Sequence, residues 1–389
     1  MPANTSNVID IVAQNSTTQS KSSSCKLLKW WSSLSPFVQG LILGVLVDLI
    51  ILTIVLPLWL VKPSNSIATT VTKVKEPFLR WNTTGITVAG IVGVAGSASN
   101  NLKAPWDVKL DLSNNLYVSD RFNNRIQKFA MNINNGTTIA GRMNATSGIT
   151  MDALNLPTGI HVDINGNVYI SDTDNNRIQF CPNGATTNRT LLGNSTIGST
   201  DNLLYNPYGI WRDPSSSILY IADSFNHRIM RYRNNSQSGE VVAGGNGSGI
   251  SSSQLSYPYD FYIDSLSNSF LIANAGGHNI VRWILGAHNW TIVAGSSNGL
   301  SGNNASLLQS PTDVTLDPMG NIYVADMQNH RIQFFSPGQS NGITIAGISG
   351  SSGSTSSQLN FPSSITLDSQ LNLYVVDQYN HRIQKFVRY

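Results

Sequence analysis

The sequence predicts an all-β fold, a six-bladed propeller closed by an N-terminal strand and preceded by one transmembrane helix. Three observations predict it. A three-strand unit is written six times, and its opening proline falls at Pro105, Pro157, Pro207, Pro258, Pro311 and Pro362, a period of 50 to 53 residues. A short fourth strand lies between consecutive copies, at 137–141, 190–193, 240–244, 291–295 and 343–347. Residues 37–61, FVQGLILGVLVDLIILTIVLPLWLV, form an apolar run. Four strands per repeat at such a period describe blades stacked around an axis.

In chain order, residues 1–36 come first and are rich in Ser, Thr, Asn and Gln. Such a segment cannot bury enough apolar surface to offset its ordering entropy, so it reads as a disordered tail on the cytoplasmic side. Residues 37–61 read as a signal anchor. At about 1.5 Å per residue this helix exceeds the roughly 30 Å hydrocarbon core, and Trp30, Trp31 and Trp59 stand where interfacial aromatics are expected.

Within the anchor, Gly40, Gly44 and Asp48 recur at spacing four and share one helix face. The GxxxG lets two helices approach closely, and Asp48 costs about 2.5–3.5 kcal/mol in a membrane unless it finds a partner. This face is the candidate for a homodimer contact. Cys25 and Cys181 fall on opposite sides of such an anchor and cannot pair within one chain.

Lysines and arginines flank both ends of the anchor, so charge does not orient it. Glycosylation sequons do. After the anchor they occur at Asn82, Asn135, Asn144, Asn188, Asn194, Asn234, Asn246, Asn289 and Asn304, all outside the three-strand unit and in connecting loops. Their placement puts the propeller on the extracellular or lumenal side.

Residues 62–85 read as a polar linker and 86–389 as the propeller. The copy at 310–335, SPTDVTLDPMGNIYVADMQNHRIQFF, shows the logic of a blade. Its three runs are β-branched or aromatic and are bounded by Pro, Gly, Asp or Asn. The sixth copy ends three residues before the chain does, without a fourth strand; residues 86–90 supply one from the front. That closure leaves no blade with an open edge.

The motif D-x-x-N-x-R-I-Q-x-F after a Y-[VI]-x-D strand, with L-x-x-P-x-[GD]-[IV] opening the unit, resembles the NHL repeat. The resemblance covers residues 86–386 and implies a six-bladed propeller. It implies less about activity, since relatives bind protein, bind RNA or act as enzymes.

The chemistry-bearing residues fall into three groups. Asp120, Asp172, Asp223, Asp326 and Asp377 each precede an Asn by three residues and an Arg by five, while the fourth copy has Asn274, Gly277 and Asn279 instead. Five-fold repetition argues for architecture. His227, His278, His330 and His381 occupy one turn in blades three to six, too far apart around the ring to share one zinc, and read as turn residues. The third group lines the channel. Two residues after the prolines stand Asp107, Asp260 and Asp313, with Lys109 and His161 two residues further along their strands. Three carboxylates around a channel suit Ca²⁺ or a cationic ligand.

Charged residues make up 12% of the chain and the net charge is +3, so no basic nucleic-acid face is expected. The sequence therefore reads as a single-pass membrane protein displaying a non-catalytic recognition module for a protein, peptide or glycan. The alternative is a lactonase-like hydrolase or a lyase. It rests on a resemblance of the 311–314 strand and its surroundings to the peptide α-amidating lyases, which implies a metal in the channel.

Overall fold

The computed structural model describes residues 79–185 and 187–389. The predicted tail, the anchor with Gly40, Gly44 and Asp48, and most of the linker lie outside the described residues. Among the described residues, no helix is long and apolar enough to cross a membrane.

Six antiparallel four-stranded sheets form the blades. Blade five is representative: Pro311–Leu316 lies innermost, then Ile322–Asp326, Arg331–Phe335 and Ile343–Gly347. The second strand of this blade, IYVAD, is buried at every position. Both of its faces pack, so it lacks the polar alternation of a half-exposed strand. In blade six Pro362–Leu367, Leu373–Asp377 and Arg382–Phe386 are completed by Ile86–Gly90, whose Ile86 pairs with Lys385 and Gly90 with Arg382. The ring closes as predicted.

Two boundaries differ from expectation. The outer strand of blade two is Arg189–Leu192, not 190–193: Arg189 pairs with Phe180, while Gly193 lacks the ladder partner that its counterpart Gly347 finds in Arg331. The propeller also begins before residue 86. Trp81 bridges to Arg388, and its indole N–H donates to the Leu371 carbonyl at 2.8 Å. Its ring packs edge-on to Tyr323 of blade five at 5.6 Å.

The core lies between blades. One cluster joins Tyr323, Ile332 and Phe334 of blade five to Ile365, Val375 and Phe386 of blade six. Burying each such side chain contributes about 1.5–3 kcal/mol, so neighbouring blades stabilise one another. In all six blades a short 3₁₀ turn joins the second and third strands and ends on one left-handed residue: Asn124, Asn176, His227, His278, His330 or His381. Asn and His tolerate that conformation better than most residues.

Because neighbouring strands are antiparallel, the turns after the first and third strands share one face of the disc. The turns after the second strand, and the loops entering each blade, share the other.

Candidate functional site

The repeated Asp–Asn–Arg residues form one clamp per blade. In blade five Asp326 Oδ2 accepts from Arg331 Nε and Asn329 Nδ2, both at 2.8 Å, and Oδ1 accepts from the Gln309 backbone N–H at 2.7 Å. The rest of the Arg331 guanidinium donates to the carbonyls of Asn303, Asn304 and Leu307. The unit thus ties the second strand to the third and both to the loop entering the blade. In blade four Asn274 donates to Asn279 at 2.9 Å, a neutral replacement that still receives the Ser256 N–H.

The turn histidines do more than occupy the surface. Nδ1 of His227, His278, His330 and His381 accepts a backbone N–H from Tyr257, Ser310, Phe361 and Ala104 in turn, at 3.1–3.2 Å. Each donor belongs to the next blade. In blades one and two the same bond is made by Asn124 and Asn176 Oδ1, from Leu156 and Asn206, at 2.9 Å. All six joints of the ring therefore carry one equivalent hydrogen bond. Burial pushes the pKa of all four imidazoles below the ordinary value.

The channel brings the predicted carboxylates together. Ligand oxygens of Asp107, Asp260 and Asp313 lie within 4.8 Å of one another. Lys109 Nζ stands 2.8 Å from Asp107 Oδ1 and 3.9 Å from Asp260 Oδ2. Asp107 Oδ1 also accepts from Ser364 Oγ at 2.6 Å and the Val108 N–H at 2.7 Å, and Oδ2 accepts from Ile160 N–H at 2.9 Å. Asp313 Oδ2 accepts the Ile365 N–H and lies 2.8 Å from the same Ser364 hydroxyl, which bridges the two acids. All but the Val108 bond cross from blade to blade, so Asp107 and Asp313 are part of the hub.

Electrostatically the cluster is satisfied by an internal cation. Burial works against the Lys109 ammonium, yet Asp107, Asp313 and Asp260 around it hold its pKa above the ordinary value. Burial, reinforced by Asp313, pushes the pKa of Asp260 well up, and burial raises that of Asp313 as well. His161 is pushed down to about 4 by burial and by Lys109. Calcium requires six to eight oxygen ligands. Here both Asp107 oxygens are engaged by protein donors and the Lys109 ammonium lies 2.8 Å from one of them, so the cluster offers fewer free oxygens than a resident Ca²⁺ requires.

Above the acids is a cavity of about 330 Å³. Lys109, His161, Trp211, Tyr262, Thr315 and Thr366 line it, each four residues after its blade's proline. It reaches Ser265, in the turn after the first strand of blade four, and so opens on that face. The other end of the channel is plugged. Trp106, Tyr208 and Tyr259 pack together with centroids 4.6–5.8 Å apart, and the Arg121 guanidinium lies 4.8 Å over Trp106. The sequence had singled out Lys109 and His161, but not Trp211 or Tyr262, although the same offset from proline marks all four.

Of the nine sequon asparagines in the described residues, Asn188 is buried and the other eight are exposed. A folded chain cannot carry a glycan at Asn188 without moving that side chain.

A family model described as the NHL repeat matches residues 154–179, 308–335 and 359–386. The chain carries NHL repeats. In sequence the NHL propeller resembles "Protein SUPPRESSOR OF QUENCHING 1, chloroplastic" of Arabidopsis thaliana, 27% identical over 74% of this chain and 30% of that protein. The chain thus spans less than a third of that relative. In structure it resembles an auxiliary nutrient binding protein of Bacteroides thetaiotaomicron, with a TM-score of 0.60, 17% identity and coverage of 80% and 77%. It also resembles virginiamycin B lyase of Staphylococcus aureus, with a TM-score of 0.51, 12% identity and coverage of 79% and 99%. At these identities the likeness is one of fold. A binding protein and a lyase share it, so the site must decide the function.

Proposed function

We propose that this chain is a single-pass membrane protein that displays its NHL propeller on the extracellular or lumenal side as a non-catalytic recognition module. Its ligand is a protein, peptide or glycan, a terminal group of which enters the axial cavity. The observation that carries this reading is the wall of that cavity. Trp211 and Tyr262 offer flat apolar faces beside Lys109 and Asp260, a combination that holds a ligand with one apolar face and a few polar groups.

The apolar run at 37–61 supports the anchor, and the eight exposed sequons support an exterior location. The competing reading is a hydrolase or lyase with a metal in the channel. It must contend with the Lys109 ammonium, 2.8 Å from Asp107, among the carboxylates that a metal would use.

Wild-type protein and a Trp211→Ala variant, presented to arrays of short peptides and glycans, test the reading directly. At least one ligand class should be retained by the wild type and lost by the variant, with no chemical change in the retained ligand by mass spectrometry. Stoichiometric bound metal with turnover, or retention indifferent to Trp211, would refute it. Endoglycosidase treatment of the protein from a secretory host checks the topology: the mobility should shift.

A further inference from the structure

Six near-identical blades make departures from the repeat informative, and four of them converge on one cleft. Between blades two and three, on the face where the axial cavity opens, lies a separate cavity of about 230 Å³. Its lining includes Arg189, Arg212, Arg233, Tyr169 and Tyr232.

Arg212 ends the innermost strand of blade three, five residues after Pro207. The equivalent residues in the other blades are Leu110, Val162, Ile263, Leu316 and Leu367, all apolar. Arg189 opens the outer strand of blade two and pairs with Phe180. Its counterparts are Thr137, Glu240, Thr291, Ile343 and Ile86. Arg233 follows the third strand, where the other blades have Ala130, Pro182, Ile284, Ser336 and Val387. Tyr232 stands where three other blades have Phe129, Phe335 and Phe386.

None of these is a packing requirement, because the other blades fold without them. The side chains are also held in place. Arg212 lies over the Tyr169 ring at 5.3 Å and donates to Ser217 Oγ, while Arg189 lies over Phe180 at 4.6 Å. Among the described residues, neither Arg189 nor Arg212 makes an ion pair with a carboxylate; Arg233 makes a long one with Glu240, at 3.3 Å. The Tyr232 ring is buried in the wall of the cleft, and the charges that act on its hydroxyl are those of Asp223, Arg228 and Asp201, not the cleft arginines.

We infer that this cleft binds a tetrahedral oxyanion group, the phosphate or sulfate ester of a modified ligand. Guanidinium forks match such oxygens in pairs, and Arg189, Arg212 and Arg233 bring three of them to one cleft. The two chemistries share this geometry and differ in charge, so a titration separates them.

Inorganic phosphate, inorganic sulfate and chloride, each at equal ionic strength, would be titrated into the full-length protein and followed by calorimetry and thermal unfolding. Phosphate or sulfate should bind at one site and raise the melting temperature, while chloride should do neither. Arg212→Leu installs the residue type of the other blades and should fold normally, yet lose on the order of tenfold in anion affinity. Phosphate outcompeting sulfate assigns a phosphorylated ligand, and the reverse a sulfated one. An anion effect matched by chloride, or one that survives Arg212→Leu, overturns the inference. Trp211→Ala should leave this binding intact, so the axial reading can fail without this one.

Discussion

At the scale of single residues, the Asp–Asn–Arg clamp turns a pattern in the sequence into an energetic expectation. Asp326 is fully buried and Arg331 nearly so. Arg331→Ala leaves the carboxylate enclosed without its cation and should destabilise by about 3–5 kcal/mol, read by chemical denaturation. The double change Asp326→Asn with Arg331→Asn imitates the neutral pair of blade four. It should cost less than Arg331→Ala alone, since no charge is stranded. A double variant as unstable as the sum of the two single changes would mean that the residues do not act as one unit. The clamp was legible because its three members recur, and are lost, together. The channel acids were legible by position, but not the role of Lys109. Nothing in spacing alone says that the ammonium sits against Asp107 and lifts the demand for a metal.

At the scale of elements, closure by the first strand is the feature on which the blade count depends. Ile86–Gly90 pairs with Arg382–Phe386 along its length, and Ala89 is wholly buried. Deleting residues 83–91 should expose the edge of blade six and lower stability by several kcal/mol through lost burial and pairing. Unchanged thermal unfolding of that variant would exclude this closure. The strands themselves were readable because β-branched runs bounded by Gly, Pro and Asp leave few alternatives. What escaped was the contribution of Trp81. A tryptophan in a polar stretch gives no periodic signal, and only the fold reveals that Tyr323 and Phe334 lie beside it. The shifted outer strand of blade two gives no signal in the sequence either, since Gly193 matches the other terminal glycines yet lacks the ladder partner that Gly244 finds in Arg228.

At the scale of the whole molecule, the six joints are chemically unequal. Two are held by Asn124 and Asn176, which do not titrate, and four by imidazole nitrogens that must be unprotonated to accept. The sequence showed four histidines at one position but not this role, because the donor lies about 30 residues further on in the next blade, or, for His381, at the start of the chain. The pKa of each imidazole is depressed in the folded state, chiefly by burial; at His381, Asp377 opposes the shift and Lys103 reinforces it. The sign follows from linkage. A group with a lowered folded pKa binds fewer protons folded than unfolded, so its stabilisation is complete above the ordinary imidazole value of about 6.5 and is lost as pH falls below it. The four joints should weaken together between pH 7 and 5. Replacing His227, His278, His330 and His381 by Asn, the residue that blades one and two already use at the same left-handed position, should keep the bonds and remove the titration. The melting temperature of the fourfold variant should fall less over that interval than that of the wild type. Carboxylates elsewhere are common to both proteins and drop out of the comparison. Parallel pH profiles for the two would show that these nitrogens do not hold the ring together.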